Sequence, residues 1–306
     1  MPGIGDQQFQ NEFEILKRLK HRNIVRLVGF CEETEEIVEP YKGKLVRCEI
    51  MHRALCLEYV PSGSLGKHLS GECLGNSWIV RYKIIKGICE GLKYLHQEAE
   101  VPILHFDLKP DNILLDVNME PKIADFGLSR LIGEENTIKT LSPLGIIGYL
   151  PPEFINNQII SKEFDIFSLG VIITKIITGN TGYSSSVDME APEFIEHVHN
   201  NWSKSLHEMP SYAELEADCK QVKGCIEIAV SCMDKDRRKR PPTNDIVRRL
   251  DEIEHEEADP ESLIGKFHSV ESIFHFKSNI PDRALLQHMD EPVLQQKPIL
   301  FTQAAS

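Results

Sequence analysis

The sequence has little that would tie it to a membrane, to nucleic acid or to a disulfide framework. Its eight cysteines are scattered along 306 residues without a Cys-x-x-Cys pair, and disulfide frameworks belong mainly to shorter secreted domains. The most apolar run, residues 166–177, is shorter than a membrane-spanning helix and contains Lys175. The formal net charge of −13 disfavours a general nucleic-acid or anionic-membrane binder, although an acidic chain can still hold a local phosphate site. We therefore expect reduced core cysteines in a cytoplasmic protein, with no transmembrane segment and no nucleic-acid partner.

The amino terminus also lacks the features of a targeting signal. Residues 1–6 contain neither a basic segment nor the apolar segment that follows it in a signal peptide. Pro2 stands where N-myristoylation requires glycine. We expect neither modification at this end.

Hydrophobic periodicity separates a small first part from a larger helical part. Apolar residues recur at helical spacing over residues 8–20, and runs rich in branched and aromatic side chains predict strands over 24–30 and 54–60. The acidic stretch 32–36 between these strands is interpreted as a solvated loop. After the turn residues 61–64 the pattern changes to long helices. The candidate helices cover residues 78–95, 165–178, 222–233 and 243–255.

One acidic residue of the first predicted helix falls on its apolar face. At about 100° per residue, Glu12 projects between Leu16 and Leu19. A carboxylate in that place is costly to bury unless it finds a cation or a hydrogen-bond donor. Periodicity alone favours a glutamate at the edge of the stripe that reaches water, and both interpretations stay open.

Four polar residues in the middle of the chain have the chemistry that phosphoryl transfer requires. His105-Phe106-Asp107-Leu108-Lys109-Pro110-Asp111-Asn112 holds an aspartate, a lysine and an asparagine, and Asp125 follows eighteen residues after Asp107 within Asp125-Phe126-Gly127. Transfer of a phosphoryl group needs metal ions on the phosphates, a carboxylate that orients the attacking hydroxyl, and cations. Asn112 and Asp125 carry oxygen ligands of the kind that Mg²⁺ prefers. Asp107 can accept a hydroxyl proton, and Lys109 can stabilise the transferred group.

Each of these pieces is weak when taken alone. Asp-Phe-Gly is an ordinary turn tripeptide, and Asp-Asn pairs commonly cap helices. The ordered set is more specific, because further segments follow at matching distances. These are the hinge-like run 57–65 and the run Gly148-Tyr149-Leu150-Pro151-Pro152-Glu153-Phe154.

As a set, these segments resemble the eukaryotic protein kinase family, and within it the plant receptor-like Ser/Thr kinases. The resemblance covers residues 8–255. It implies an α+β, protein-kinase-like bilobal fold with a truncated N-lobe, consisting of helix C and about two strands, and a mainly α-helical C-lobe. The implied divisions are a truncated N-lobe over 1–60, a C-lobe over 61–255 and a loosely ordered tail over 256–306.

The resemblance also assigns roles to individual residues. It implies that Asp107 is the catalytic base, Lys109 the cation at the γ-phosphate, and Asn112 and Asp125 the two metal-ligating positions. For ATP it implies a pocket formed by the gatekeeper Leu57, the backbone of Glu58 and Val60, and the floor residue Leu114, together with Asp125. ATP and Mg²⁺ are the implied cofactors.

Further implied roles are structural and regulatory. Glu12 resembles the helix-C glutamate that pairs with the strand-3 lysine. Glu153 is expected to form an ion pair with Arg240, and Asp165 to bind the backbone of the catalytic loop. The segment from Asp125 to Glu153 resembles the activation segment. Its candidate phosphorylation sites are Thr137, Thr140 and Ser142.

The sequence departs from the family pattern in four places. Only eleven residues precede Glu12, too few for the Gly-rich loop and the strand-3 lysine of the family. Phe106 replaces the arginine of His-Arg-Asp, which implies regulation that does not depend on a phosphorylated loop binding that arginine. Ile146 replaces the threonine whose hydroxyl normally bonds the catalytic aspartate and lysine.

These features leave two functional hypotheses. One is a protein Ser/Thr kinase of receptor-like kinase signalling, which transfers the ATP γ-phosphate to protein hydroxyls. The other is a catalytically impaired pseudokinase that acts as a binding module for a signalling partner. Both imply a protein substrate or partner and a cytoplasmic location, at the inner face of the plasma membrane through membrane receptor kinases.

Overall fold

A computed structural model describes residues 4–70, 77–131, 138–139, 148–207 and 215–255. The chain divides into a compact unit, Met1–Glu257, and a second unit, Ala258–Ser306, that lies outside the described residues together with the predicted tail. None of the helices in the described ranges is both long and apolar enough to cross a membrane.

Helices dominate the chain after residue 60. The helices of this part are α2 (Leu65–Ser70), α3 (Trp78–Lys93), α4 (Pro152–Asn157), α5 (Lys162–Asp188), α6 (Ala191–His207), α7 (Leu215–Cys232) and α8 (Thr243–His255). A π-helical turn, Tyr94–Glu98, continues α3, and α5 is broken at Gly179, whose backbone has a φ of +74°. The predicted helices are confirmed, with α5 beginning three residues before the predicted start at 165 and α7 seven before the one at 222.

The main hydrophobic core lies among α3, α5, α7 and α8. The apolar stripe of α3 is buried, and the polar ends of its aromatic residues are satisfied: the Trp78 indole donates to Gln221 at 2.8 Å and the Tyr82 hydroxyl to the carbonyl of Leu250 at 2.8 Å. Gly87 lets α3 approach a neighbouring strand, because a Cβ on it would lie 2.5 Å from Cγ of Pro121. The nearly all-apolar α5 is buried on every side over residues 171–174, as its sequence predicts.

The first 60 residues form one helix and one long hairpin. Helix α1 (Ile4–Leu16) precedes the antiparallel strands β1 (Leu27–Tyr41) and β2 (Lys44–Leu57). Lys42 and Gly43 form the two-residue turn, and both have positive φ, as a type I′ turn requires. The helix packs on the base of the hairpin, where the rings of Phe13 and Phe30 are 4.7 Å apart.

The prediction of a solvated loop over residues 32–36 was wrong, because these residues lie in the middle of β1. Cross-strand pairs stabilise the acidic run there: Arg53 Nε bonds Glu32 at 2.9 Å, and His52 Nε2 lies 3.1 Å from Glu35. Glutamate has a low strand propensity, so the run alone does not indicate a strand. The predicted strand starting at 24 is also displaced, since Ile24 instead bridges to Ile123.

Three short antiparallel sheets surround the polar segments of the middle of the chain. They pair β3 (Ile103–Leu104) with β6 (Arg130–Leu131), β4 (Ile113–Leu115) with β5 (Pro121–Ile123), and β7 (Ile138–Lys139) with β8 (Ile159–Ile160). Residues 105–112 therefore connect β3 to β4, which belong to different sheets, and Asp125 lies in the connection from β5 to β6.

The expectation of core cysteines holds for only part of the set. Cys89, Cys225 and Cys232 are buried, and burial raises the pKa of each thiol. Three others lie exposed on the hairpin, because β1 and β2 have no covering layer in the described part of the chain. These are Cys31, Cys48 and Cys56.

Candidate active site

The loop that carries Asp107 is anchored by a buried carboxylate on α5. Asp165 has no exposed surface, and its oxygens accept hydrogen bonds from the backbone N–H groups of His105 at 2.8 Å and Phe106 at 2.9 Å. The Nε2 atom of His96 lies 2.9 Å from the same carboxylate. The predicted contact of Asp165 with the catalytic-loop backbone is confirmed.

His105 fixes the next turn of the loop through both of its ring nitrogens. Its Nε2 lies 3.0 Å from the carbonyl oxygen of Ala124, and its Nδ1 accepts a hydrogen bond from the backbone N–H of Asp107 at 3.3 Å. These contacts assign the proton to Nε2. Complete burial lowers the pKa of His105, so the ring is neutral near pH 7.

The carboxylate of Asp107 lies at the centre of the site. Its Oδ2 accepts hydrogen bonds from Lys109 Nζ at 2.6 Å and from Asn112 Nδ2 at 3.0 Å, and Asn112 also donates to the Asp107 carbonyl at 2.9 Å. The structure thus brings together the three residues predicted as catalytic. A charged lysine beside the carboxylate offsets its negative charge, and the two donors fix its orientation.

Asp125 follows Ala124, whose backbone N–H donates to the carbonyl of Asn112 at 2.9 Å, and it has an exposed side chain and a left-handed backbone of φ +67°. The residue after it, Phe126, is fully buried against His105, at 5.0 Å between ring centroids. A positive φ in a non-glycine residue is maintained only where neighbouring contacts hold it.

Asn11 of α1 supplies part of that support, and sequence reasoning missed it. Its Nδ2 lies within hydrogen-bond distance of the carbonyl oxygens of Phe126 (3.1 Å), Gly127 (3.0 Å) and Ser129 (2.8 Å). The side chain therefore holds α1 against the segment that follows Asp125. The position of Asn11 next to Glu12 was the available signal that it lies near the site. Its hydrogen-bond partners, however, lie more than a hundred residues away in sequence.

Glu12 also contacts this segment. Its Oε1 accepts a hydrogen bond from the backbone N–H of Phe126 at 3.3 Å. Within the described residues, no lysine or arginine lies close enough to Glu12 to form an ion pair. Burial, reinforced by the charge of Asp125, raises the pKa of the Glu12 carboxyl. The interpretation of Glu12 as an edge residue reaching water was wrong, because its carboxylate points at Phe126.

We expect the Glu12→Gln variant to be more stable than the parent at pH 7. Because the folded pKa of Glu12 is raised, the folded chain binds more protons than the unfolded chain above the ordinary value of 4.5. Its contribution to stability is therefore present below pH 4.5 and lost as pH rises, whereas glutamine keeps the acceptor without the charge. Denaturant unfolding at several pH values measures the difference, which should disappear as pH falls towards 4.5.

Glu14 of the same helix provides the matched control. Its carboxylate lies 2.6 Å from Lys17 Nζ, and this bond lowers its pKa, so that its contribution is lost as pH falls. Glu14→Gln should give no gain in stability at pH 7. An equal gain from both variants would contradict the burial argument for Glu12.

The residues predicted to meet ATP lie at the end of β2 and in β4. Leu57 is partly exposed at the strand end, Val60 is buried, and Leu114 is half-buried in β4. The backbone N–H of Glu58 donates to the carbonyl of Arg26 at 2.9 Å, and its carboxylate lies 3.0 Å from Lys122 Nζ. The segment that would contact adenine is thus held by a backbone hydrogen bond to Arg26 and by an ion pair with Lys122.

The residues present fit a Mg²⁺ ion that is shared with a nucleotide. The amide of Asn112 is oriented by its donation to Asp107, which makes its oxygen Oδ1 the candidate ligand, and the Asp125 carboxylate is exposed. The described residues contain no cluster of three His, Cys, Asp or Glu side chains that could hold a metal alone. Mg²⁺ commonly takes one or two protein ligands and completes its shell with phosphate oxygens and water, which agrees with this donor set.

Phe106, in place of the family arginine, is buried in an aromatic cluster. Its ring is 5.3 Å from that of Phe164, which in turn is 5.3 Å from Phe154. Leu104 and Ile160 complete this second, smaller core. The side chain at position 106 is therefore held in an apolar cluster.

The predicted ion pair between Glu153 and Arg240 is confirmed. The guanidinium binds both carboxylate oxygens, at 2.6 Å and 2.8 Å, and also donates to the carbonyls of Asp234 and Glu163 at 2.9 Å each. It thereby joins the start of α4 to the segment before α8. The other predicted features of this region lie outside the described residues. They are Thr137, Thr140, Ser142 and Ile146.

A shallow depression beside Asp107 is a second feature that sequence reasoning missed. Tyr149, Leu150, Phe164 and Ser168 line it together with residues 106–109. Lys175 Nζ donates to the Tyr149 hydroxyl at 2.9 Å, and burial raises the pKa of Tyr149 to about 12. The phenol is therefore neutral, and it lies beside residues 106–109.

Comparison with known proteins finds matches over most of the chain. The sequence profile of the protein kinase domain matches residues 3–250. Three proteins of Arabidopsis thaliana are similar to 81% of this chain, and each match covers about a third of the relative. They are the cysteine-rich receptor-like protein kinase 10 (36% identical, 35% of its length), the cysteine-rich receptor-like protein kinase 26 (36%, 36%) and the G-type lectin S-receptor-like serine/threonine-protein kinase SD1-13 (33%, 29%).

Proposed function

Because this chain belongs to the protein kinase family, in the branch of the plant receptor-like kinases, we propose that it transfers the γ-phosphate of ATP to serine or threonine hydroxyls of proteins. The observation that carries the proposal is the arrangement of Lys109 and Asn112 around the carboxylate of Asp107. The relatives named as serine/threonine kinases support the choice of acceptor.

In this mechanism Asp107 orients the attacking hydroxyl and accepts its proton. Lys109 and Asn112 both donate to Oδ2, which would leave the second oxygen, Oδ1, to accept the proton of the substrate hydroxyl. The surface lined by Tyr149 and Leu150 adjoins Asp107, so the segment that carries the hydroxyl would lie against it. Orientation of the nucleophile is the main task of the carboxylate, because phosphoryl transfer needs little covalent chemistry from the protein.

Lys109 has a second role at the phosphoryl group. Its ammonium lies 2.6 Å from Asp107 and can stabilise charge on the oxygens of the transferred group. Asn112 and Asp125 would hold Mg²⁺, which supplies neutralisation of the triphosphate charge. Leu57, Val60 and Leu114 would contact the adenine ring, with the Glu58 backbone at its edge.

A pseudokinase that binds a signalling partner is the second candidate function, and Glu12 favours it. No cation pairs with this carboxylate in the described residues, although the family places a lysine there, and its pKa is raised. Loss of one charge-assisted bond to phosphate weakens nucleotide binding by about 1.5–3 kcal/mol. Such a chain would bind nucleotide weakly and transfer no phosphate.

The test is phosphate transfer from radiolabelled ATP with Mg²⁺ to a library of serine- and threonine-containing peptides. We expect incorporation by the parent chain and a loss of at least about 100-fold in Asp107→Asn, since general-base catalysis contributes on that scale. Asp251→Asn, on the surface of α8 beside Lys86, is the matched control and should keep the parent rate.

Thermal unfolding with and without Mg²⁺-ATP separates the two functions. Stabilisation that disappears in Asp125→Ala, combined with incorporation, supports the kinase. Stabilisation without incorporation supports the pseudokinase. If neither is observed, or if incorporation is the same in Asp107→Asn, the proposed transfer is wrong.

The receptor-like names of the relatives support a place for the chain in membrane signalling. Acting beside membrane receptor kinases, it would work at the cytoplasmic face of the plasma membrane through its partners. Its substrate would be a protein, and its net charge of −13 argues against nucleic acid as a partner.

A further inference from the structure

The hairpin of β1 and β2 presents apolar side chains to solvent on both faces. Leu45 is 77% exposed and Met51 is 46% exposed, and Val38, Tyr41 and Ile50 are also exposed. An exposed apolar surface of this extent usually marks an interaction site. In the described part of the chain, β2 pairs with β1 and with no other strand, so its outer edge keeps unpaired backbone donors and acceptors.

The two edges of the hairpin differ in how well they are protected. Strand β1 carries five glutamates and Pro40, and charge and proline are the features that keep edge strands from pairing. Strand β2 has no proline, and apolar or small residues occupy more than half of its positions. The outer edge of β2 is therefore the one open to another strand.

The charges on β2 allow it to pair with itself. In an antiparallel pair of identical strands related by a two-fold axis at Met51, Glu49 lies opposite Arg53 of the second copy. The two-fold axis generates this pair twice. Opposite charges in directly opposed positions stabilise a sheet, and side chains of opposed residues lie on the same face.

Neighbouring registers lose this match. An axis at Ile50 would place Arg47 opposite Arg53 of the second copy, and like charges in opposed positions are destabilising. An axis at His52 would place Glu49 opposite Leu55. Pairing of β1 with itself would bring glutamates face to face near the centre of the strand.

We infer that this chain forms a two-fold dimer in which the β2 strands of two copies pair antiparallel about Met51. Residues 45–57 of each copy form one side of the joint, which turns two separate hairpins into a continuous four-stranded sheet. A two-fold dimer closes, whereas pairing of β1 with β2 of the next copy would propagate into an open fibre. Arg53 binds Glu32 within the hairpin and lies over the ring of Phe9, so its side chain is held in place where the second copy's Glu49 would approach.

A pair of charge-matched variants tests the joint. Glu36 and Glu49 face each other across the hairpin, so changing either to arginine replaces a like-charge pair with an opposite-charge pair. Glu49→Arg, however, also places arginine opposite Arg53 of the second copy, whereas Glu36 lies outside the joint. Both variants change the net charge equally and favour the hairpin itself.

Sedimentation over a range of protein concentrations gives the readout. We expect the parent chain and the Glu36→Arg variant to form the dimer equally well. Glu49→Arg should weaken association by roughly tenfold or more, because the charges of two opposed pairs become alike. The triple variant Glu32→Arg/Glu49→Arg/Arg53→Glu, which keeps opposite charges at the paired positions 32 and 53 of the hairpin, should restore the dimer. A parent chain that stays monomeric, equal effects of the two single variants, or open polymers would each overturn the inference.

Cysteine cross-linking locates the axis independently of charge. Met51→Cys places two thiols opposite each other at the axis, and oxidation should trap a covalent dimer. Thr34, which is opposite Met51 on β1, supplies the control Thr34→Cys. Oxidation of the parent chain measures the cross-linking that its exposed cysteines, Cys31, Cys48 and Cys56, give by themselves. Equal cross-linking of both variants and the parent would overturn the placement of the axis at Met51.

Discussion

Replacing Asp165 with alanine is expected to lower the free energy of unfolding by roughly 2–6 kcal/mol. The carboxylate accepts the backbone N–H groups of His105 and Phe106 in a fully buried place, and alanine leaves both donors without a partner. A buried donor without an acceptor costs about 1–3 kcal/mol. Phe106, whose φ is +63°, depends on this support, so the loop carrying Asp107 should also lose its shape.

Denaturant unfolding measures the loss of stability, and Asp165→Asn provides a graded control. Asparagine keeps the volume and one acceptor oxygen, so its loss should be smaller than that of alanine. If the alanine variant unfolds at the same denaturant concentration as the parent, the Asp165 carboxylate does not stabilise the loop. Phosphate incorporation should fall with both variants in the same order.

The second large effect is expected when Arg240 is replaced with leucine. Its side chain is completely buried and binds both oxygens of Glu153, so the variant leaves a nearly buried carboxylate without its cation. Breaking a buried pair from one side costs about 3–5 kcal/mol.

A double-mutant cycle separates the pair from the packing around it. Glu153→Leu combined with Arg240→Leu removes both charges, and this double variant should be more stable than Arg240→Leu alone. Arg240→Lys should recover little of the stability, because a lysine cannot bind both oxygens in parallel. A double variant no better than the single one would show that the ion pair is not the source of the effect.

The helical part of the fold could be predicted because its signals are local. The stripe of α3 and the mostly apolar run 166–177 of α5 follow directly from residue spacing and hydrophobicity. The hairpin could not be predicted in the same way. Two of its five glutamates, Glu32 and Glu35, bind Arg53 and His52 of the opposite strand, and pairing across a turn does not appear in the local pattern.

The candidate site divides in a similar manner. The positions of Asp107, Lys109 and Asn112 follow from one short segment, and their contacts could be expected from it. Asn11 could not, because its amide matters only after α1 has come to lie beside Gly127. The direction of the Glu12 side chain also depends on that docking, which explains why the edge interpretation failed.

The position of α1 between two other elements has a consequence for local opening of the structure. Through Phe13 the helix holds the base of the hairpin, and through Asn11 it holds the backbone carbonyls after Asp125. A fluctuation that lifts α1 breaks both sets of contacts at once. The hairpin base and the segment after Asp125 therefore belong to one cooperative unit, whose opening exposes apolar surface and releases the backbone next to Asp125 in a single event.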